Sequence, residues 1–536
     1  MDDGGQWSGP GPLTPGGEGL REAIFMHNSA KSLLVFGLYV LLGALVFYPS
    51  LRIGFLGDFA GDLCGSQGDW LHFASYQWNF YLPAMAIYYG LYKIFHLSPL
   101  PYQVVHLSLI IINAWLVYIL AQGLKFKPWQ CWIAGLMALF NSAGFEAYYW
   151  LSTIPKALAT SFGLVALVFL NRFRQQGAPV WGWGYLTMVT LGLAVESTGL
   201  ILPLLGLILD TYLRPWRVSG KEKTTLLSGF RLHLWTFGVA GSFLLMRHFL
   251  GIKLYAENLP IFDKVITFSR TILATFFHGL HDYLWLEVKG IPLTAGILIL
   301  SLAIIVLLAL HLKQGIDRKR FITLLLLWVA ACLPHTIGSH FHSRYLYFPG
   351  VFAALVLADV MGSFRLRVYA HNFTWLLISL TLIGYLTFDF YAFRQTLRSH
   401  LMASQIYNAG IKKIRTYLPE IPAGTRLVLV DFPDCIYRPY NVHQGLRNNY
   451  RVLVYRNALP FHLMLLYARK DLNPTFLTLS PSNDGSFSPL GTPSSREHLA
   501  KLLASPQTVI CRYLPGNPEQ FVIASGGAAL DSSILK

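Results

Sequence analysis

The sequence predicts a polytopic α-helical membrane protein: a bundle of about eleven transmembrane helices, juxtamembrane helices in the first external loop, and a small C-terminal α/β domain. Three observations predict this. Apolar runs of roughly 18 residues or more recur along the first two-thirds of the chain. The chain is 54% hydrophobic and only 13% charged, a poor fit to a soluble globular protein. Beyond about residue 394 the pattern changes to short β-branched or aromatic runs separated by Pro, Gly, Asn and Asp.

The formal net charge of +16 would suggest a nucleic-acid partner in a soluble chain. Here Lys and Arg collect in short loops between apolar runs, where orientation in the membrane accounts for them, and no nucleic acid is expected. The five cysteines lack metal-ligand spacing. Only Cys435 and Cys511 share a soluble region, where a disulfide between them is open.

Residues 1–20 are rich in Gly and Pro without apolar periodicity and read as a disordered tail. The first apolar run, about Lys31–Ser50, starts late and is too long for a signal-peptide core, so no cleavable signal is expected. Arg21 and Lys31 precede it, which places the N-terminus in the cytoplasm. Further spans are expected at about Tyr102–Gly123, Trp129–Ala143, Ala157–Asn171, Trp181–Val195, Gly199–Leu213, Leu232–Leu250, Pro292–Leu312, Phe321–Gly338, Tyr345–Gly362 and Phe373–Phe393. The basic loops at Lys125/Lys127, Arg172/Arg174, Arg214–Arg231, Lys313–Arg320 and Arg365/Arg367 all fall inside under strict alternation. That alternation leaves Asn79–Phe95 no room to cross. Its Tyr81, Tyr88, Tyr89 and Tyr92 suit a helix lying in the outer interface, so residues 52–101 form one external loop. Ile261–Trp285 reads as a second interfacial segment.

Residues 21–394 therefore form the transmembrane domain and 395–536 an external, periplasmic one. In the latter, strands are expected at Arg426–Val430, Arg451–Tyr455, Phe476–Leu479, Thr508–Tyr513 and Gln520–Ala524, with helices at Met402–Tyr417 and Arg496–Leu503.

On this topology the chemistry-bearing residues share the external face: Asp58, Asp62 and Asp69 in the first loop, Glu146 and Lys156 around Trp150, Glu196 in a helical hairpin, and His335, His340, His342 and Arg344. Each has a structural reading too. Asp58 alone reads as a solvated loop residue, Asp62 and Asp69 beside glycines as turn formers, and Lys156 and Arg344 as snorkelling cations. Glu196 at membrane depth is either a site residue or a helix cap. A lone His-x-His is a weak metal signal, and no metal site is assigned; a divalent metal stays open as a cofactor. Together, a carboxylate and cations at the mouth of a bundle suit glycosyl transfer from a lipid-phosphate sugar, which needs a base for the acceptor hydroxyl and cations for the departing phosphate.

Five stretches then carry a resemblance: Gly54–Phe59 (GFLGDF), Tyr102–Ala114 (YQVVHLSLIIINA), Phe145–Ser152 (FEAYYWLS), Val195–Pro203 (VESTGLILP) and Ser343–Pro349 (SRYLYFP). In this order they resemble the GT-C membrane glycosyltransferases, in particular the family 39-like, O-mannosyltransferase-like branch that uses polyprenyl-phosphate sugars. The resemblance covers about the first two-thirds of the chain and implies a GT-C-like bundle working in cell-envelope glycosylation; the compact loops and the unelaborated external domain suggest a bacterial inner membrane. The resemblance implies Asp58 as catalytic base, with Asp62 and Asp69 beside it, although Gly57 stands where the family often has a second acid. The convergence on one face, taken with this resemblance, puts Lys156, Arg344 and His342 on the donor phosphate, and Glu146, Glu196 and His106 in positioning the substrate. The implied partners are a polyprenyl-phosphate sugar, a glycan, lipid or protein acceptor, and membrane lipids. The residues alone leave open a lipid-linked-sugar flippase or a non-catalytic scaffold.

Overall fold

The computed structural model describes residues 16–56, 59–67, 82–213, 223–250, 260–276, 317–336, 343–362, 368–437, 451–453, 458–468, 472, 474–479, 487–489, 492–514 and 520–525. Asp58, Asp69, His340, His342 and the expected span Pro292–Leu312 lie outside these residues, as does the side chain of His335.

The chain opens with helix α1 (Gly16–Phe47) and a 3₁₀ turn, Tyr48–Arg52. The helix thus starts inside the stretch expected to be a tail, because Glu18, Leu20, Arg21, Glu22 and Ala23 are all good helix formers. Two short helices follow, α2 (Phe59–Ser66) and α3 (Leu82–Phe95), the latter falling within the expected Asn79–Phe95. Helices α4 (Pro99–Gly123), α5 (Pro128–Leu139), α6 (Glu146–Tyr149), α7 (Ile154–Gln176), α8 (Pro179–Val195) and α9 (Leu202–Leu213) come next. Proline sits in the first turn of α4, α5, α7 and α8, where its missing N–H has no intrahelical partner to lose. The remaining helices of this part are α10 (Lys223–Phe249), α11 (Ile261–Phe276), α12 (Arg318–Thr336), α13 (Tyr347–Gly362) and α14 (Val368–Tyr417).

Four segments among the described residues are long and apolar enough to cross a membrane: Ala30–Arg52, Pro99–Gly123, Leu151–Gln176 and Arg344–Gly362. Pro179–Val195, Ser197–Leu213 and Ile378–Thr387 are apolar but shorter.

The basic residues gather at one end of the bundle, and they do more than mark orientation. Lys127 Nζ donates to the Gly362 carbonyl at 2.8 Å, and Lys319 Nζ to the Tyr212 carbonyl at 2.7 Å, each capping a helix C-terminus. Arg320 reaches the Lys125 carbonyl at 3.3 Å and pairs with the buried Asp359, its Nη2 2.5 Å from Oδ1. Arg174 grips the fully buried Asp210, with Nη2 2.6 Å from Oδ2, and His233 Nε2 lies 3.0 Å from the same oxygen.

Helix α14 carries the chain out of the bundle. The sequence divides it into a span and a separate helix, but no Pro or Gly stands between Phe393 and Met402, and the two join into 50 continuous residues. At 1.5 Å per residue such a helix runs about 75 Å, more than twice the roughly 30 Å hydrocarbon core. It is pinned at the end opposite the basic residues, where Tyr149 donates to the Phe393 carbonyl at 3.0 Å and the Gly54 N–H to Ser404 Oγ at 2.6 Å.

The C-terminal part contains strands β1 (Arg426–Val430), β2 (Pro433–Tyr437), β3 (Arg451–Leu453), β4 (Thr475–Thr478), β5 (Phe487–Pro489), β6 (Thr492–Pro493), β7 (Thr508–Leu514) and β8 (Gln520–Ser525). Helices α15 (Ala458–Leu466) and α16 (Arg496–Leu503) complete it. One sheet has the order β6-β4-β1-β7-β8, parallel except for β8, and β3-β2-β5 form a second, antiparallel one. Central strand β1 buries Leu427 to Val430 on both faces, as a parallel strand covered from two sides must. Val428, Val430 and Ile510 meet Leu499 and Leu503 of α16 on one face. Cys511 is free and buried on β7, while Cys435 lies on β2 of the other sheet, so the disulfide left open between them does not form.

Helix α15 anchors this domain to the first loop by packing on α2. Phe461 lies over Gly61, the His462 ring sits 5.8 Å from that of Phe55, and His462 Nδ1 shares a 2.8 Å hydrogen bond with the Tyr407 hydroxyl of α14. Phe59 of α2 meets Tyr88 of α3 and Tyr102 of α4 edge-on, at 5.2 and 5.4 Å between centroids. Phe55 and α2 are thus held between the bundle and the C-terminal domain.

Candidate active site

Opposite the basic end the helices break. Between α5 and α7 the chain makes a 3₁₀ turn (Ser142–Gly144), the single turn α6 and a second 3₁₀ turn (Leu151–Thr153). Helix α8 stops at Glu196, whose extended backbone (φ −153°, ψ 153°) leads into a third 3₁₀ turn, Ser197–Ile201. A fourth, Ser343–Leu346, precedes α13. Broken backbone frees side chains from the helix ladder and lets them converge.

Two glycines permit the convergence. A Cβ on Gly144 would stand 2.8 Å from Tyr347 Cα, so only glycine lets the first turn reach the fourth. A Cβ on Gly199 would stand 2.5 Å from the Gly192 carbonyl, where the third turn folds back on α8.

Four of the sequence candidates meet here. Lys156 Nζ pairs with Glu196 Oε1, their side chains 12% and 4% exposed, and the Thr198 hydroxyl donates to Glu196 Oε2 at 2.9 Å. The Arg344 backbone N–H donates to Glu146 Oε2 at 3.1 Å. Both cations rest on the ring of Tyr345, Lys156 Nζ at 4.4 Å and Arg344 Cζ at 5.3 Å from its centroid, and Arg344 also lies 4.5 Å from the Trp150 ring. Cation–π attraction of this kind reaches about 2 kcal/mol where water is excluded.

The remaining candidates are placed differently. His106, fully buried on α4, lies beneath the cluster, with Nε2 3.3 Å from Thr153 Oγ1. Asp62 is buried in the first turn of α2, a helix that packs on the Leu151–Thr153 turn. Among the described residues, no three or more His, Cys, Asp or Glu gather as a metal site would require.

Two features of the structure carry little signal in the sequence. Tyr345 and Trp150, which carry the cations, look in sequence like ordinary interfacial aromatics. Asp210 with Arg174 and His233 forms a buried triad at the other end, signalled only by one acid inside the apolar run Gly199–Leu213.

No family model and no curated protein matches the chain. Among the solved structures similar to it along most of their length are two of ArnT from Cupriavidus metallidurans. The crystal structure bound to undecaprenyl phosphate shares 10% identity, over 89% of this chain and 92% of that one, with a TM-score of 0.45. The apo state shares 12% identity, over 90% and 93%, with a TM-score of 0.47.

Proposed function

We propose that the chain is an integral membrane glycosyltransferase of the GT-C kind, which moves a sugar from a polyprenyl-phosphate donor to a hydroxyl of a glycan, lipid or protein on the external membrane face. Residues 21–394 form its transmembrane domain and 395–536 its periplasmic domain, with the N-terminus in the cytoplasm of a bacterial cell. One observation carries this reading: Lys156 and Arg344, 188 positions apart in numbering, share one aromatic ring at the end of the bundle where the first loop packs, each tied to a glutamate.

The reaction is a single displacement with inversion. The acceptor oxygen attacks the anomeric carbon as the bond from that carbon to the phosphate oxygen breaks, and the hydroxyl proton passes to Asp58. Negative charge grows on the departing phosphate, where Lys156 and Arg344, with His342, offset it. Lysine has three donors, of which Glu196 takes one, so the ion pair orients the ammonium without exhausting it. Asp62 and Asp69 orient acceptor or sugar, Glu146 and Glu196 hold the cations, and His106 supports the Thr153 turn beneath them.

Purified protein incubated with radiolabelled polyprenyl-phosphate sugars tests the assignment. Transfer of label to a hydroxyl acceptor is the expected result. Movement of intact donor across vesicles without turnover would identify a flippase, and neither would leave a scaffold.

A further inference from the structure

The phosphate site described above contains two cations, but its surroundings hold more than charge. The indole Nε1 of Trp150 and the Oγ of Ser152 are buried, and neither finds a hydrogen-bond partner among the described residues. Buried donors are nearly always satisfied, and an indole N–H can only donate. Both belong to the short segment Trp150–Thr153 that leads into Lys156, and the indole ring itself lies under the Arg344 guanidinium at 4.5 Å. Tyr345, on which both cations rest, adds a second ring. A ring holds a cation by its quadrupole without adding a negative charge to the site, so Tyr345 positions Lys156 and Arg344 with no carboxylate beyond Glu196 and Glu146. Two held cations and two waiting donors on adjoining segments suit a ligand with several acceptor oxygens and negative charge, which is the chemistry of a phosphate ester.

We propose that Trp150, Ser152 and Tyr345 complete the phosphate site: the two rings set the positions of Lys156 and Arg344, and the indole N–H and the Ser152 hydroxyl donate to phosphate oxygens. The inference rests on the reading of Lys156 and Arg344 as phosphate ligands. Trp150 and Ser152 touch the ligand, while Tyr345 is a positioning residue acting through the cations.

The test is binding of undecaprenyl phosphate, undecaprenol and inorganic phosphate to the purified full chain in detergent. Trp150→Phe keeps the ring and loses the N–H; it and Ser152→Ala should each weaken undecaprenyl phosphate binding about tenfold, the scale of one hydrogen bond to a charged group. Tyr345→Leu should weaken it comparably, and Tyr345→Phe should restore most of the loss. Undecaprenol binding should be the same in all variants, and inorganic phosphate should compete in the wild type and lose potency in the variants. If Lys156→Gln and Arg344→Gln weaken binding while Trp150→Phe, Ser152→Ala and Tyr345→Leu bind like wild type, the inference is overturned and the reading of the cations stands. An equal loss of undecaprenol binding would make the three residues structural and overturn the inference as well. Wild-type binding in Lys156→Gln and Arg344→Gln would remove the reading and the inference together.

Discussion

Lys156 and Glu196 illustrate how a charge is kept among apolar helices. Neither is tolerable alone in a low-dielectric setting, and truncating one partner of such a buried pair leaves the other uncompensated, at a cost of about 3–5 kcal/mol. Glu196→Leu should therefore lower the midpoint of thermal unfolding strongly. The double variant Lys156→Met/Glu196→Leu should recover most of that stability and still fail to transfer sugar. A double variant with full activity would reduce the pair to a structural tie. At this scale the sequence was readable where charge stands out against apolar background, as at Glu196, Lys156 and Arg344. It was not readable where the partner is an aromatic, because Tyr345 and Trp150 are two among 28 tyrosines and 14 tryptophans and nothing local distinguishes them. The Arg174–Asp210–His233 triad was hidden for another reason: Arg174 was already accounted for as a basic loop residue.

Among the elements, α15 on α2 couples the C-terminal domain to the loop carrying Asp58. His462 lies at that contact, and burial pulls its pKa down from the ordinary 6.5 to about 4. The folded contact favours the neutral imidazole, so its contribution is whole above about pH 6.5 and is lost as the pH falls toward 4. Docking of the two helices should loosen across that window, seen as lower amide protection factors, that is exchange relative to the intrinsic rate at each pH, in residues 59–66 and 458–466. In His462→Gln the protection factors should no longer change over the same range; an unchanged pH response in that variant would place the sensitive group elsewhere. The sequence indicated α16 at its observed bounds and most of the long strands, since those runs are periodic and clearly punctuated. It missed α15, whose run Ala458–Leu466 is apolar all round and carries no helical stripe, the five-residue strand β2, which opens on a proline and an aspartate, and the strands β5 and β6, which are three and two residues long. Helix α14 was split in two because the change from apolar to amphipathic residues near Phe393 looks like a boundary, whereas backbone continuity depends only on the absence of a breaker.

For the molecule as a whole, opposite ends of the bundle have opposite designs. One end is closed by Lys127 and Lys319 on helix C-termini and by Arg320 on the Lys125 carbonyl of the loop between α4 and α5, and the helices there stay regular. The other end is opened by four 3₁₀ turns, and there the two cations, two glutamates and two aromatic rings meet under the first loop and the C-terminal domain. The helical membrane-length segments were legible because each depends on a local run of apolar residues. Their gathering into a site was legible only as a shared end, since turns such as Ser343–Leu346 take their shape from close packing at Gly144, far away in sequence. The proposed transfer is tested most directly by the rate at which the purified chain passes radiolabelled sugar from an undecaprenyl-phosphate donor to a hydroxyl acceptor, in wild type, Asp58→Asn and Lys156→Gln. A proton-accepting base and a phosphate-holding cation each contribute about a hundredfold or more, so both variants should lose at least that factor while eluting as folded protein. Wild-type rates in both variants, or no transfer by the wild type with any polyprenyl-phosphate sugar, would contradict the account.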